Sequence, residues 1–479
     1  MRYDNLIAGQ HVGGAYRENR NPSDHSDVIG EYASATAADT EAAIDAAVSK
    51  RASWRLVPAG ERTRLLDSIG DSILRRSAEL GETLSREEGK PLLEGIAEAT
   101  RAGNTFKYFA AQVLQPTGSL FASHRPDTTI QVSHAPVGAV GIITPWNFPL
   151  AVPAWKIAPA LAYGNTVVFK PADLVPASAW TLAQIIHEAG VPAGVFNLVM
   201  GRGSVVGDAI AGSDRLNAVS FTGSTSVGTG LAQQSIAHGN KRVQVEMGGK
   251  NSIVVLDDAD LDIAVAAIID SAFGSTGQRC TATSRIIVTP GIHDALVDGL
   301  QRRMLQLRVG HALDANTDIG PVASESQLAQ DLDYIRTGTE EGAELVAGGS
   351  LVDAPTRGNF LQPTLFAGGR SEMRLNQEEI FGPVACVIPA LDLDDAIAIA
   401  NDSRYGLSSG IVTGSQSAIT RFTEQVEAGL VSVNASPAIS ELHVPFGGMK
   451  DSGYGSREQG GYAREFYTTV STRYITSIR

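Results

Sequence analysis

Cysteine is nearly missing from this chain: its 479 residues include two, Cys280 and Cys386. Two thiols cannot build a disulfide framework, which points to a reducing compartment. No uninterrupted apolar run of about 18 residues occurs either, so a membrane-spanning helix is not expected. The opening residues, MRYDNLIAGQHVGG, lack a basic segment followed by an apolar stretch. No secretory leader is therefore expected, and the chain reads as cytoplasmic. Positive charge is short as well. Lys and Arg total 38 against 52 Asp and Glu, a formal net charge of −14, which disfavours nucleic acid and anionic membranes as partners. The 9 histidines form no HExxH and no close set with cysteine, so no metal is expected. DDADLD (257–262) lacks the glycine and spaced glutamate of a calcium loop, and reads as the cap of the next helix.

What the chain has is alternation. From about residue 137, short apolar runs such as VGAVGIITP, NTVVFKP, VFNLVM and LNAVSFTG are separated by helical patterns such as AVPAWKIAPALAYG and STSVGTGLAQQSIAHG. That order predicts parallel strands with crossover helices, hence an α/β fold. Such sheets bind ligands beyond the carboxyl ends of their strands. A second alternating set begins after MGGKNSIVVLDDADLD and runs to about GLVSVNAS, so two α/β domains are expected. The region before residue 117 reads as mostly helical, with TEAAIDAAVSKRASWR and AGERTRLLDSIGDSILRRSAELGETLSREEG as its clearest helices. Residues 118–136 and the tail REFYTTVSTRYITSIR fit neither set. Their Thr, Val, Tyr and Phe content predicts a projecting hairpin and a late strand, edges that call for a partner chain.

Four stretches offer chemistry. In GSTGQRCTATSR, Cys280 stands between Arg279 and Arg285; a nearby cation favours the thiolate, the nucleophilic form. The competing reading of a free cysteine is a small buried hydrophobe, which Cys386 in GPVACVIPA fits. FTGSTSVG (221–228) runs from a strand end through glycines into a helix whose N-terminus would attract phosphate. Upstream, Lys170 and Asp173 of VVFKPAD sit at a strand's carboxyl end, where they can hold ribose hydroxyls or simply pair in solvent. Glu246 of VQVEMGGKN follows an alternating strand pattern and can serve as a general base where burial raises its pKa. Asn147 of TPWNFPL, between two prolines, can present an amide to an oxyanion or satisfy a turn.

PWNF, FKPAD, FTGSTSVG, EMGGKN, GQRC, EEIFGPV and PFGGMKDSG, in that order and nearly the full length of the chain, resemble the successive signatures of the aldehyde dehydrogenase superfamily. The resemblance implies a Rossmann-like cofactor domain (1–117 and 137–247), an α/β catalytic domain (248–447) and a small β oligomerisation element (118–136 and 448–479). It implies that Cys280 attacks an aldehyde, that Asn147 holds the oxyanion and that Glu246 activates water, with Lys156 and Glu458 as a proton-relay pair. NAD is the implied cofactor, with NADP possible because Asp173 stands where many members have glutamate. Lys170 and Asp173 would meet the adenosine ribose, Ser224 the pyrophosphate, and Glu379 and Phe381 the nicotinamide riboside. Thr144, Pro145, Trp146, Thr222, Gly223 and Gly248 would line the same site. The implied assembly is a homodimer or homotetramer.

The details resemble most the α-ketoglutarate semialdehyde (2,5-dioxopentanoate) dehydrogenase branch, which implies a small anionic aldehyde as substrate. Arg279, Arg285 and His443 are the candidates to face its carboxylate. Trp155 stands where the succinic semialdehyde branch has an arginine. Succinic or glutaric semialdehyde, or a range of aliphatic aldehydes, are the alternative substrates, and a non-catalytic binding protein on the same fold is the alternative of another class.

Overall fold

The computed structural model describes residues 2–239 and 241–477. Five parallel strands form the centre of an eight-stranded sheet. They run Arg242–Glu246, Ala218–Thr222, Ala139–Ile143, Thr166–Lys170 and Phe196–Leu198 across the sheet. Each of the three middle strands is buried along its whole length, as expected when helices cover both faces. The chain reverses its direction of travel across the sheet between Ala139–Ile143 and Ala218–Thr222. This is the topological switch point at which such sheets open a ligand crevice.

A second sheet of seven strands is parallel except for its edge strand Glu344–Ala347. Asn251–Val255 and Thr283–Val288 lie at its centre. The helix between them, Leu261–Phe273, is capped by the Asp260 carboxylate, which accepts from the N–H groups of Asp262 and Ile263 at 3.0 and 3.1 Å. The acidic run is thus a helix cap, as read.

The N-terminal region departs from its mostly helical reading. Four helices do span Ala37–Arg55, Ala59–Arg75, Ser77–Glu88 and Leu92–Gln112, but residues 2–34 hold five strands. Asn5–Ile7 and Gln10–Val12 extend the eight-stranded sheet through a two-residue turn in which Ala8 and Gly9 both take positive φ, the requirement of a tight hairpin. Runs of three residues are too short for alternation to register in the sequence.

Residues Gly118–Phe121, Thr128–Pro136 and Thr468–Thr476 form a separate antiparallel sheet. Its last strand pairs with the hairpin over nine residues yet leaves Val470 and Tyr474 exposed. The rest of the C-terminal segment folds back: Gly453–Tyr454 joins the edge of the eight-stranded sheet beside Val245 and Glu246. Among the described residues no helix is long and apolar enough to cross a membrane.

Candidate active site

Four strand ends of the eight-stranded sheet deliver the motifs to one place. Ile143 leads into Thr144-Pro145-Trp146-Asn147, Thr222 into Gly223-Ser224, Glu246 into Met247-Gly248, and Lys170 ends its own strand. The second sheet supplies the opposite wall: Cys280 precedes its strand Thr283–Val288, and Glu379 and Phe381 precede Val384–Pro389. All of these line one cavity of about 1700 Å³, together with Asp173, Trp155 and Arg279. Lys156, Glu458, Arg285 and His443 do not.

Cys280 is held by a costly backbone. Ser275, Thr276 and Gly277 take φ of 50°, 59° and 66° in succession, and left-handed conformation at a side-chain-bearing residue costs about 1–3 kcal/mol. A Cβ at Gly277 would overlap the Gly382 carbonyl. The strain is fastened by Glu94, which accepts from the Ser275 hydroxyl and from Arg279 Nη2 at 3.2 Å, while Arg279 Nε donates to Ser275 Oγ at 3.1 Å. Downstream, Asn251 Nδ2 donates to the Cys280 carbonyl at 2.8 Å.

This arrangement overturns one expectation. The flanking arginines do not make the thiol acidic. Arg279 is engaged by Glu94, and Arg285 is fully buried against the carbonyls of Ile399 and Ala400, so it does not face a substrate carboxylate either. The reason is strand geometry: Arg285 lies inside Thr283–Val288 and points into the domain. Burial, then the charges of Glu379 and Glu246, push the thiol up to about 12; the N–H groups of Thr281 and Cys280 work the other way. Cys280 therefore rests protonated. His443, expected to face the substrate, is exposed outside the cavity.

Glu246 is nine-tenths buried or more, and its Oε2 has no hydrogen-bond partner. Burial first and the neighbouring Glu458 second raise its pKa well above the ordinary carboxylate value, against the opposing pull of Lys156 and Arg457. Lys156 pairs with Glu458 in the core, and its Nζ also donates to Ser220 Oγ at 2.8 Å. That pair sits behind Glu246 rather than on the cavity wall.

Asn147 is oriented from both ends. Its Nδ2 donates to the Gln278 carbonyl at 2.9 Å, and its own carbonyl accepts from Lys90 Nζ at 2.8 Å. One amide N–H is thereby committed, leaving the other for a ligand. Lys90 is itself buried, bonded to Glu98 at 2.6 Å and seated over the Phe148 ring. Neither Lys90 nor Asn251 was read as functional from sequence. Both act on backbone carbonyls far along the chain, which leaves no local pattern.

The remaining wall has unmatched polar groups. The hydroxyls of Thr144 and Thr222 are buried without partners, and Ser224 makes no capping bond at the start of helix Thr225–Ala237, leaving first-turn N–H groups for an anion. Lys170 Nζ donates to the Pro171 carbonyl at 2.7 Å and lies 3.4 Å from Asp173, which also stands 3.7 Å from Arg17. Glu379 accepts from the Gly249 N–H at 3.0 Å and fills the space where a Cβ on Gly248 would be. The Phe381 ring meets Trp146 edge-on at 5.2 Å. Hydroxyls, amides and a carboxylate pair in this order fit a dinucleotide.

Comparison with known proteins agrees with the geometry. The model of the aldehyde dehydrogenase family matches residues 11–473. The alpha-ketoglutaric semialdehyde dehydrogenase of Bacillus subtilis is 42% identical, covering 99% of this chain and 98% of that protein. The alpha-ketoglutarate semialdehyde dehydrogenase of Haloferax volcanii is 44% identical over 96% of each. Among solved structures, betaine aldehyde dehydrogenase from Staphylococcus aureus in complex with NAD+ superposes with a TM-score of 0.95 at 33% identity, covering 99% of this chain and 95% of that one. Matched over nearly its whole length by the family model and by both semialdehyde dehydrogenases, the chain belongs to the aldehyde dehydrogenase family.

Proposed function

We propose that this enzyme oxidises 2,5-dioxopentanoate to 2-oxoglutarate with NAD as cofactor. The observation that carries the chemistry is that Cys280, Asn147 and Glu246 line one cavity with the unmatched groups of Thr222 and Ser224. The substrate rests on the likeness to the two semialdehyde dehydrogenases. Glu246, a buried base of raised pKa, takes the thiol proton, and Cys280 Sγ bonds to the aldehyde carbon. The oxyanion is stabilised by the free Asn147 N–H and the Cys280 N–H, donors fixed before the charge develops. Loss of hydride leaves a thioester on Cys280. Glu246 then deprotonates water, which attacks the thioester and releases the acid. Lys156 and Glu458, packed behind Glu246, pass its proton onward. NAD, when bound, supplies the hydride acceptor. Thr144, Pro145, Trp146, Thr222, Gly223, Ser224 and Gly248 would enclose it, Lys170 and Asp173 would hold the adenosine ribose, and Glu379 and Phe381 the nicotinamide riboside. Arg17 beside Asp173 softens discrimination against a 2′-phosphate, so NADP is a weaker second cofactor.

We assign 1–117 and 137–247 to cofactor binding, 248–447 to catalysis, and 118–136 with Thr468–Thr476 to assembly of a homodimer or homotetramer in the cytoplasm, the intervening C-terminal residues packing on the cofactor sheet. The exposed Val470 and Tyr474 edge supports that assembly. Ranking kcat/KM across ω-carboxy aldehydes and uncharged aldehydes of equal length tests the substrate; equal efficiency sinks the dioxo-acid reading in favour of a broad aldehyde dehydrogenase. Intact-protein mass spectrometry tests the chemistry. Wild-type enzyme quenched during turnover should carry an acyl adduct that Cys280→Ala lacks, Glu246→Gln should slow both its formation and its hydrolysis, and a chain with no adduct in any form is a binding protein.

A further inference from the structure

An anionic substrate needs a cation on the cavity wall, and the three candidates read from sequence do not supply one that is free. Arg279 is paired with Glu94, Arg285 is buried away from the cavity, and His443 lies outside it. Arg101, on helix Leu92–Gln112, does line the cavity. Its guanidinium donates to the Ser440 carbonyl at 2.7 Å and to Gln459 Oε1 at 3.2 Å. Both partners are neutral, and among the described residues Arg101 forms no ion pair. The nearby Glu98 is already satisfied by Lys90 and by the N–H groups of Leu150 and Ala151. Glu441, the other acid whose charge reaches Arg101, is exposed. Two of five N–H donors are thus used to hold the group in place, and a part-buried guanidinium on the cavity wall is left with no ion-pair partner and with donors free for an anion.

A second, independent observation lies close by, since Phe446, which packs against Trp155, is backbone-paired with Glu458, the neighbour of the Gln459 that holds Arg101. Trp155 lines the cavity, is 7% exposed, and its Nε1–H has no partner. Its ring is held against Phe446 at 5.4 Å. A buried indole donor normally finds an acceptor.

We propose that Arg101 and Trp155 form the subsite for the α-keto acid end of the substrate, Arg101 binding its carboxylate and the Trp155 N–H its 2-oxo oxygen. The cation matches the charged group, and the neutral donor matches the ketone. This rests on the dioxo-acid reading above, and it gives Trp155 a role beyond replacing an arginine.

The test measures kcat/KM for pentanal, 5-oxopentanoate and 2,5-dioxopentanoate in the full-length enzyme with NAD. Arg101→Met should lower the 5-oxopentanoate to pentanal ratio by roughly 10- to 150-fold, the range for a hydrogen-bonded charge, with the change in KM. Arg101→Lys should restore part of it. Trp155→Phe should lower the 2,5-dioxopentanoate to 5-oxopentanoate ratio by roughly 3- to 10-fold. Unchanged ratios overturn the proposal. Should Arg101→Met not fold, Arg101→Lys and Arg101→Gln, which can still donate to Ser440, decide by the same ratio. A wild-type enzyme with no preference for carboxylated aldehydes refutes the substrate reading instead, before any variant is made.

Discussion

The resting state of Cys280 offers the most direct test of the site's electrostatics. A thiol pushed up to about 12 is ionised to about one part in ten thousand at pH 8, against about one part in ten for a thiol at an ordinary value of 9.0. Alkylation by iodoacetamide, which consumes thiolate, should therefore run roughly 1000-fold slower at pH 8 than for an unperturbed thiol in the cofactor-free enzyme. The rate should keep rising with pH, without a plateau below pH 10. Glu379, itself pushed up by burial to about 7, is mostly ionised at pH 8 and is the first of the two charges opposing the thiolate. Glu379→Gln keeps an acceptor for the Gly249 N–H and removes that charge, which should speed alkylation about 10-fold, one pKa unit. Arg279→Met should not slow it, since Glu94 already engages that charge. An alkylation plateau below pH 9, or a marked slowing in Arg279→Met, would refute this account and reinstate the arginine-activated thiolate that the sequence suggested.

Three further outcomes are expected. Lys90→Met leaves Glu98 buried with only the N–H groups of Leu150 and Ala151 as donors, a loss of about 3–5 kcal/mol in chemical denaturation. Adding Glu98→Gln should return part of it; a purely additive double variant contradicts the pairing. Gly277→Ala places a side chain at φ 66° against the Gly382 carbonyl, so kcat should fall at least 10-fold while a folded chain is still recovered, checked by circular dichroism and steady-state kinetics. Asp331, buried with Oδ2 unpartnered, is pushed up to about 7. Its folded-state pKa exceeds the unfolded value, so its contribution to stability is intact below about pH 4 and is lost as pH rises to about 7. The thermal midpoint of Asp331→Asn relative to wild type should accordingly rise between pH 5 and pH 8; a falling difference contradicts the assignment.

Much of the fold was legible because its signals are local. Strands buried on both faces must be continuous apolar runs, so VGAVGIITP and NTVVFKP announced the parallel sheet, and the Thr and Tyr alternation of the tail announced a strand. The three-residue strands Asn5–Ile7 and Gln10–Val12 were missed because they are shorter than any period that could reveal them. Cys280, Asn147 and Glu246 were readable because each sits in a segment whose turns and residue types are set within a few positions.

What the chain alone determined, then, is which groups stand at the carboxyl ends of which strands. Direction of charge was decided only in three dimensions. Arg279 and Arg285 flank the thiol in sequence, but one is tied to a helix almost two hundred residues earlier and the other lies inside a strand, while Glu379 and Glu246 arrive from distant segments to face it. Coulombic interaction depends on distance through the folded interior and on what water has left behind, neither of which follows from adjacency along a backbone.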